Sequence, residues 1–167
     1  MDNFKVTDKI QIETRRKPKM KDSFKLLGDV VIERRTRDGQ TIDKEELKNL
    51  IVNVGKERVA RLICGDGSGI GAFTHIAIGE GSTAANASDT TLETERAREA
   101  ATAAYEANYK ATFEKTFTFG SGISYSITEA GILDEAVGGI MLDRFVFSAK
   151  EVDSDTDLYI KVTITVS

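Results

Sequence analysis

Residues 157–166 read DLYIKVTITV. Leu158, Ile160, Val162, Ile164 and Val166 share one parity, and Tyr159, Lys161, Thr163 and Thr165 share the other. Side chains alternate across a strand, so this period of two predicts a β-strand with Ile160, Val162 and Ile164 buried. The strand is expected to close the sheet at the C-terminus. Working back along the chain, Ile140, Leu142, Phe145 and Phe147 predict another strand, entered by Gly138-Gly139. Ile123, Tyr125 and Ile127 alternate after a Gly-Ser-Gly turn. Tyr105, Ala107, Tyr109, Ala111, Phe113, Phe117 and Phe119 again share a parity, which predicts one long half-buried strand over 105–119.

The N-terminal half is less uniform. Val30 and Ile32 open a strand, and Asp38-Gly39 predicts a two-residue type I′ hairpin because glycine tolerates positive φ. Residues 43–65 fit two readings. Asp43 with Glu46 resembles a helical capping box. The β-branched run at 51–54 favours a strand through 47–52, then a helix from about Val54 to Ile63 that stops at Gly65. Val59, Leu62 and Ile63 would be its buried face, and Cys64 a small, inert, buried residue. Residues 73–79, FTHIAIG, read as a short buried strand in which His75 packs rather than reacts. Residues 92–104 have helical propensity without an apolar face, which makes that propensity a weak guide. Short strands with glycine-rich turns predict a mainly β chain: an antiparallel β-sandwich or barrel-like domain over 26–167, with one short helix and an extended arm over 1–25.

Composition bounds the function classes. The chain has 167 residues, one cysteine and one histidine, too few for an internal disulfide or a Cys/His zinc site. No apolar run reaches the roughly 20 residues of a spanning helix, and no apolar leader follows the first charges. Residues 1–25 hold eight basic and four acidic side chains. They carry +4 within a chain of net −4, so the remainder carries −8. A basic arm on an acidic body suits docking to protein, and with few interleaved aromatics it suits nucleic acid less. Arg15, Arg16 and Lys17 are the candidates for interfacial charge contacts, and Ile10 and Ile12 for strand addition.

The chemical motifs are incomplete. Residues 65–81, GDGSGIGAFTHIAIGEG, hold six glycines but no Lys-Ser/Thr pair after them, which a phosphate-binding Walker loop requires. Asp153, Asp155 and Asp157 open like a calcium loop, yet Leu158 and Ile164 stand where glycine and glutamate are needed. They read as a solvated loop tip. Glu129, Asp134, Asp143 and Arg144 offer carboxylates and a cation, but nothing in their spacing sets them across a cleft. No catalytic residue, metal ligand or cofactor is expected.

Several strings occur in a telling order: NLIVNVG at 49–55, IAIGEGS at 76–82, TEAGI at 128–132, GGIM at 138–141 and Arg144. This order and spacing resemble a family of small structural proteins of tailed bacteriophages, over about residues 47–166. The resemblance implies a non-enzymatic virion component without a cofactor, repeated as a homo-oligomer and docked to other virion proteins, with no membrane association. It implies a tail or fibre-attachment position, with head decoration as the alternative. A second class, a carbohydrate-binding adsorption domain, needs exposed aromatics for sugar stacking. Most aromatics here occupy alternating positions that suit a core.

Overall fold

The computed structural model describes residues 24–65 and 71–167. The described residues form ten strands and one helix: β1 (Leu26–Thr36), β2 (Thr41–Lys48), β3 (Leu50–Ile51), α1 (Asn53–Cys64), β4 (His75–Gly79), β5 (Glu95–Ala100), β6 (Thr102–Glu106), β7 (Lys110–Thr118), β8 (Tyr125–Leu133), β9 (Met141–Val152) and β10 (Thr156–Val166). They build two five-stranded antiparallel sheets, ordered β2-β1-β10-β7-β6 and β3-β9-β8-β4-β5. One apolar core joins Val30, Ile32, Phe113, Phe117 and Ile160 of the first sheet to Ile76, Ile78, Ile132 and Phe145 of the second. This is the expected antiparallel β-sandwich.

Strand β10 carries the expected register. Ile160 and Val162 are fully buried and Ile164 nearly so, while Lys161 and Thr163 lie on the outer face. Its position differs from the expectation. Pairing with β1 on one side and β7 on the other makes it the middle strand of its sheet. Alternation reports which face is buried, but a central strand of a half-exposed sheet alternates just as an edge strand does.

Three local expectations are corrected. The 105–119 segment is two strands, not one. Asn108 and Tyr109 both have φ of 65°, which turns β6 back on β7 and pairs Tyr105 with Ala111. Asn is among the residues that tolerate this left-handed region, so Asn108 sets the turn within an otherwise regular alternation. The Asp38-Gly39 hairpin forms, but only Gly39 has positive φ. Gly39 N–H donates to Thr36 C=O and Thr36 N–H to Gln40 C=O, giving a three-residue loop with a bulge rather than type I′. Residues 95–100 and 102–106 are strands despite the helical propensity of this segment, because pairing with β4 and β7 outweighs the intrinsic preference.

Helix α1 follows the second reading of 43–65 and ends with Gly65 in the left-handed conformation. Its buried face is not Leu62 and Ile63, which are 45% and 73% exposed. Gly55 is the buried residue, and a Cβ there would meet the backbone of Leu142 on β9. The helix approaches β9 through its first turn, and Val59 packs partly buried against the core as expected, whereas Cys64 is exposed rather than buried.

Candidate functional site

Strand β8 presents Glu129 to the interior with no exposed surface. A buried carboxylate needs donors on its oxygens. The loop between β4 and β5 supplies them. Gly81 N–H donates to Oε1 at 3.0 Å, Thr94 N–H to Oε1 at 2.7 Å and Glu93 N–H to Oε2 at 3.1 Å. From the neighbouring strand β9, Arg144 Nε donates to Oε2 at 2.9 Å, and Nη2 lies 2.9 Å from the same oxygen. Arg144 is itself 3% exposed, and its Nη1 reaches Asp89 Oδ2 at 2.9 Å. Burial disfavours the guanidinium charge, yet bonds to Glu129 and Asp89 outweigh that and raise its pKa.

This arrangement explains the glycines of IAIGEG. A Cβ on Gly79 would sit 2.5 Å from Thr94 O and 2.6 Å from Glu129 Oε1, and one on Gly81 would sit 2.5 Å from Oε1. The backbone closes on an anion much as a phosphate loop does, but the anion is the protein's own carboxylate. The described part of the glycine stretch is therefore an anion cradle filled from within.

Asp143, one residue before Arg144 on β9, faces the other way and is also fully buried. Ile132 N–H donates to its Oδ1 at 2.8 Å, and Asn49 Nδ2 donates to Oδ2. Burial pushes its pKa up to about 7, against the lowering effect of those two bonds. Asn49 Oδ1 is buried without a hydrogen-bond partner. Asp134 ends β8. Its Oδ2 lies 2.8 Å from Arg58 Nη2 of α1 and its Oδ1 accepts from Ile140 N–H at 2.6 Å. On the far flank, Lys150 of β9 reaches Asp43 at 2.9 Å and Glu45 at 3.2 Å on β2, stapling one sheet to the other.

Comparison with protein-family models, with curated proteins and with solved structures finds no match. The site is thus read from its own geometry. Glu129 and Arg144 are brought together, whereas Asp134 and Asp143 each serve a separate contact. Antiparallel pairing of β8 and β9 places these residues, and their 15-residue separation gave no local sign of it. The available signal was the pair of closely spaced glycines at 79 and 81, which mark a close backbone approach.

Around Arg144, Thr83, Ser88, Asp89 and Glu93 line an open polar depression of about 420 Å³. The guanidinium at its floor is already engaged by carboxylates, which leaves it poorly placed to hold a second anion. His75 sits at the start of β4, half-buried, with Nδ1 2.9 Å from Thr74 Oγ1. The Asp153–Asp157 segment is a turn in which Asp153 Oδ1 accepts from Asp155 N–H at 2.9 Å and Thr156 Oγ1 at 3.1 Å. Among the described residues, no cluster of three or more His, Cys, Asp or Glu side chains is arranged to hold a metal, and no helix is long and apolar enough to cross a membrane.

Two surfaces stand open. A groove of about 520 Å³ runs between the start of β1 and α1, lined by Phe24, Leu26, Leu27, Val59, Ala60 and Ile63. On the β6–β7 hairpin, Tyr105 and Tyr109 are 77% and 73% exposed, contrary to the core positions that alternation assigned them. The proposed interface residues Ile10, Ile12, Arg15, Arg16 and Lys17 lie outside the described residues.

Proposed function

We propose that this chain is a non-enzymatic structural component of a tailed-bacteriophage virion, a tail or fibre-attachment subunit that docks to neighbouring subunits. One observation carries the reading. The residues that resemble the phage family meet as one framework. Asn49 holds Asp143, Gly55 seats α1 on β9, Gly79 and Gly81 close around Glu129, and Glu129 pairs with Arg144. A pattern built from buried, mutually paired groups specifies a scaffold, since those groups are consumed in holding elements together. The basic arm on an acidic body adds the means of docking.

Immunogold electron microscopy of particles from the phage whose genome encodes the chain tests this reading. Label at the tail or fibre base is expected. Label on the head would select the decoration alternative, and unlabelled particles would refute a virion role. The carbohydrate-binding reading gains one observation, the exposure of Tyr105 and Tyr109, because an exposed aromatic ring can stack on a sugar face. Glycan binding by the purified protein that is lost in Tyr105→Ala/Tyr109→Ala would favour that alternative.

A further inference from the structure

The two sheets have four edge strands, and they differ in protection. Strand β2 carries five charged residues in eight and a bulge near Ile42. Strand β3 has only two residues. Strand β5 carries four charged residues in six and an irregular register beside Gly79. These are the devices by which natural sheets block unwanted pairing. Strand β6, TAAYE, has one charge, no proline and an unbroken register with β7, and all five residues are exposed. It also bears apolar surface on its inner side. Ala103 pairs with Phe113 and Tyr105 with Ala111, so Ala103 and Tyr105 continue the core-facing side of β7 into solvent.

We infer that β6 is the acceptor for strand addition by the N-terminal segment of a neighbouring copy, residues 9–14. This deepens the reading of the chain as an assembly subunit and rests on it. Sequence, length and charge each favour this occupant. Residues 9–14 are KIQIET, whose alternation sets Ile10 and Ile12 on one face. In a strand paired with β6 that face covers Ala103 and Tyr105. The 23 residues before Phe24 could span at most about 80 Å if fully extended, well beyond the width of one sheet. The charges complement each other, since the +4 arm meets a −8 body. Pairing β6 with β6 of a second copy would instead bring two −8 bodies together.

The exit point of the arm explains why the donor is a neighbour. Lys25 and Ser167 exchange backbone hydrogen bonds, and Val166 N–H donates to Tyr109 C=O. The arm therefore leaves from the end of the sheet that holds the β6–β7 turn. Strand β6 runs toward that same end, so a direct return of the arm to its own β6 pairs parallel. A neighbouring copy can supply the antiparallel pairing, which is the more stable one per residue.

The test uses full-length protein in a Cys64→Ser background. Ile12→Cys chains are mixed with Ala103→Cys chains and oxidised. The expected result is an inter-chain disulfide in at least about tenfold excess over Ile12→Cys mixed with Ser154→Cys, because docking raises the local concentration of the pair. Equal yields would overturn the inference. So would a cross-link confined to single chains carrying both cysteines, or dominant self-linking of Ala104→Cys. Sedimentation supplies a second readout. Wild type is expected to self-associate with rising concentration, and Ala103→Lys/Tyr105→Lys to stay folded and monomeric, since both sites are exposed. Unchanged association of that variant, or a wild type monomeric throughout, refutes it. Both assays use purified protein without particles, so their failure leaves the immunogold result standing, and the reverse holds as well.

Discussion

Asp143→Asn should change the pH dependence of stability more than stability itself. In the folded chain Asp143 is fully buried and its pKa rises from 3.8 to about 7. The folded state therefore holds this proton more tightly than the unfolded state does. Its contribution is fully present below about pH 4 and is lost as pH rises through about 7. At about 1.4 kcal/mol per pKa unit, the whole effect is about 4 kcal/mol. Roughly 2–3 kcal/mol of it falls between about pH 5 and about pH 8. For a chain of this length that corresponds to a fall of roughly 5–10 °C in melting temperature over the same window. Asparagine keeps the shape and an acceptor for Ile132 N–H, and a rotated Asn49 amide would offer its unpartnered Oδ1 to the new amide. The variant should then lose this slope and exceed wild type in stability at the alkaline end. Calorimetric melting curves of both proteins across the window decide the matter. The acidic limb below about pH 4 should persist in both, because Asp43, Glu45 and Glu114 have lowered pKa values and lose stabilising contacts when protonated. Parallel wild-type and variant profiles would refute the assignment of the titration to Asp143.

The remaining expectations concern the cradle and the core. Glu129→Ala leaves Arg144 without its main partner and three backbone N–H groups unpaired, so urea unfolding should show a loss of about 3–5 kcal/mol. A loss under about 1 kcal/mol would mean that water replaces the carboxylate readily. Ile160→Ala should cost about 2–5 kcal/mol, whereas Thr163→Ala on the outer face should stay within roughly 0.5 kcal/mol; comparable costs would contradict the register. ATP or inorganic phosphate at millimolar concentration should leave the melting temperature unchanged, since the described anion cradle is occupied; a rise of several degrees would reveal a separate site.

Sequence alone determined the fold class, the buried face of β10, the break between β3 and α1, and Gly65 as the helix stop. Each is a local property: two-residue alternation, a β-branched run, or the backbone freedom of a glycine beyond the last helical turn. It misjudged the features that depend on what lies alongside. Alternation passed unbroken through Asn108, because a tight turn need not disturb the parity of the residues around it, and Tyr105 and Tyr109 were placed in a core they do not reach. Leu62 and Ile63 have helical spacing, yet α1 is seated on β9 by its first turn at Gly55 and leaves both exposed. The cradle lay furthest from view. Its carboxylate, its cation and its donor N–H groups come from three separate segments, and only the pairing of β8 with β9 and the return of the 80–94 loop bring them within hydrogen-bonding distance. Charge and glycine content were legible in the chain, but which charge fills which cradle was set by strand order.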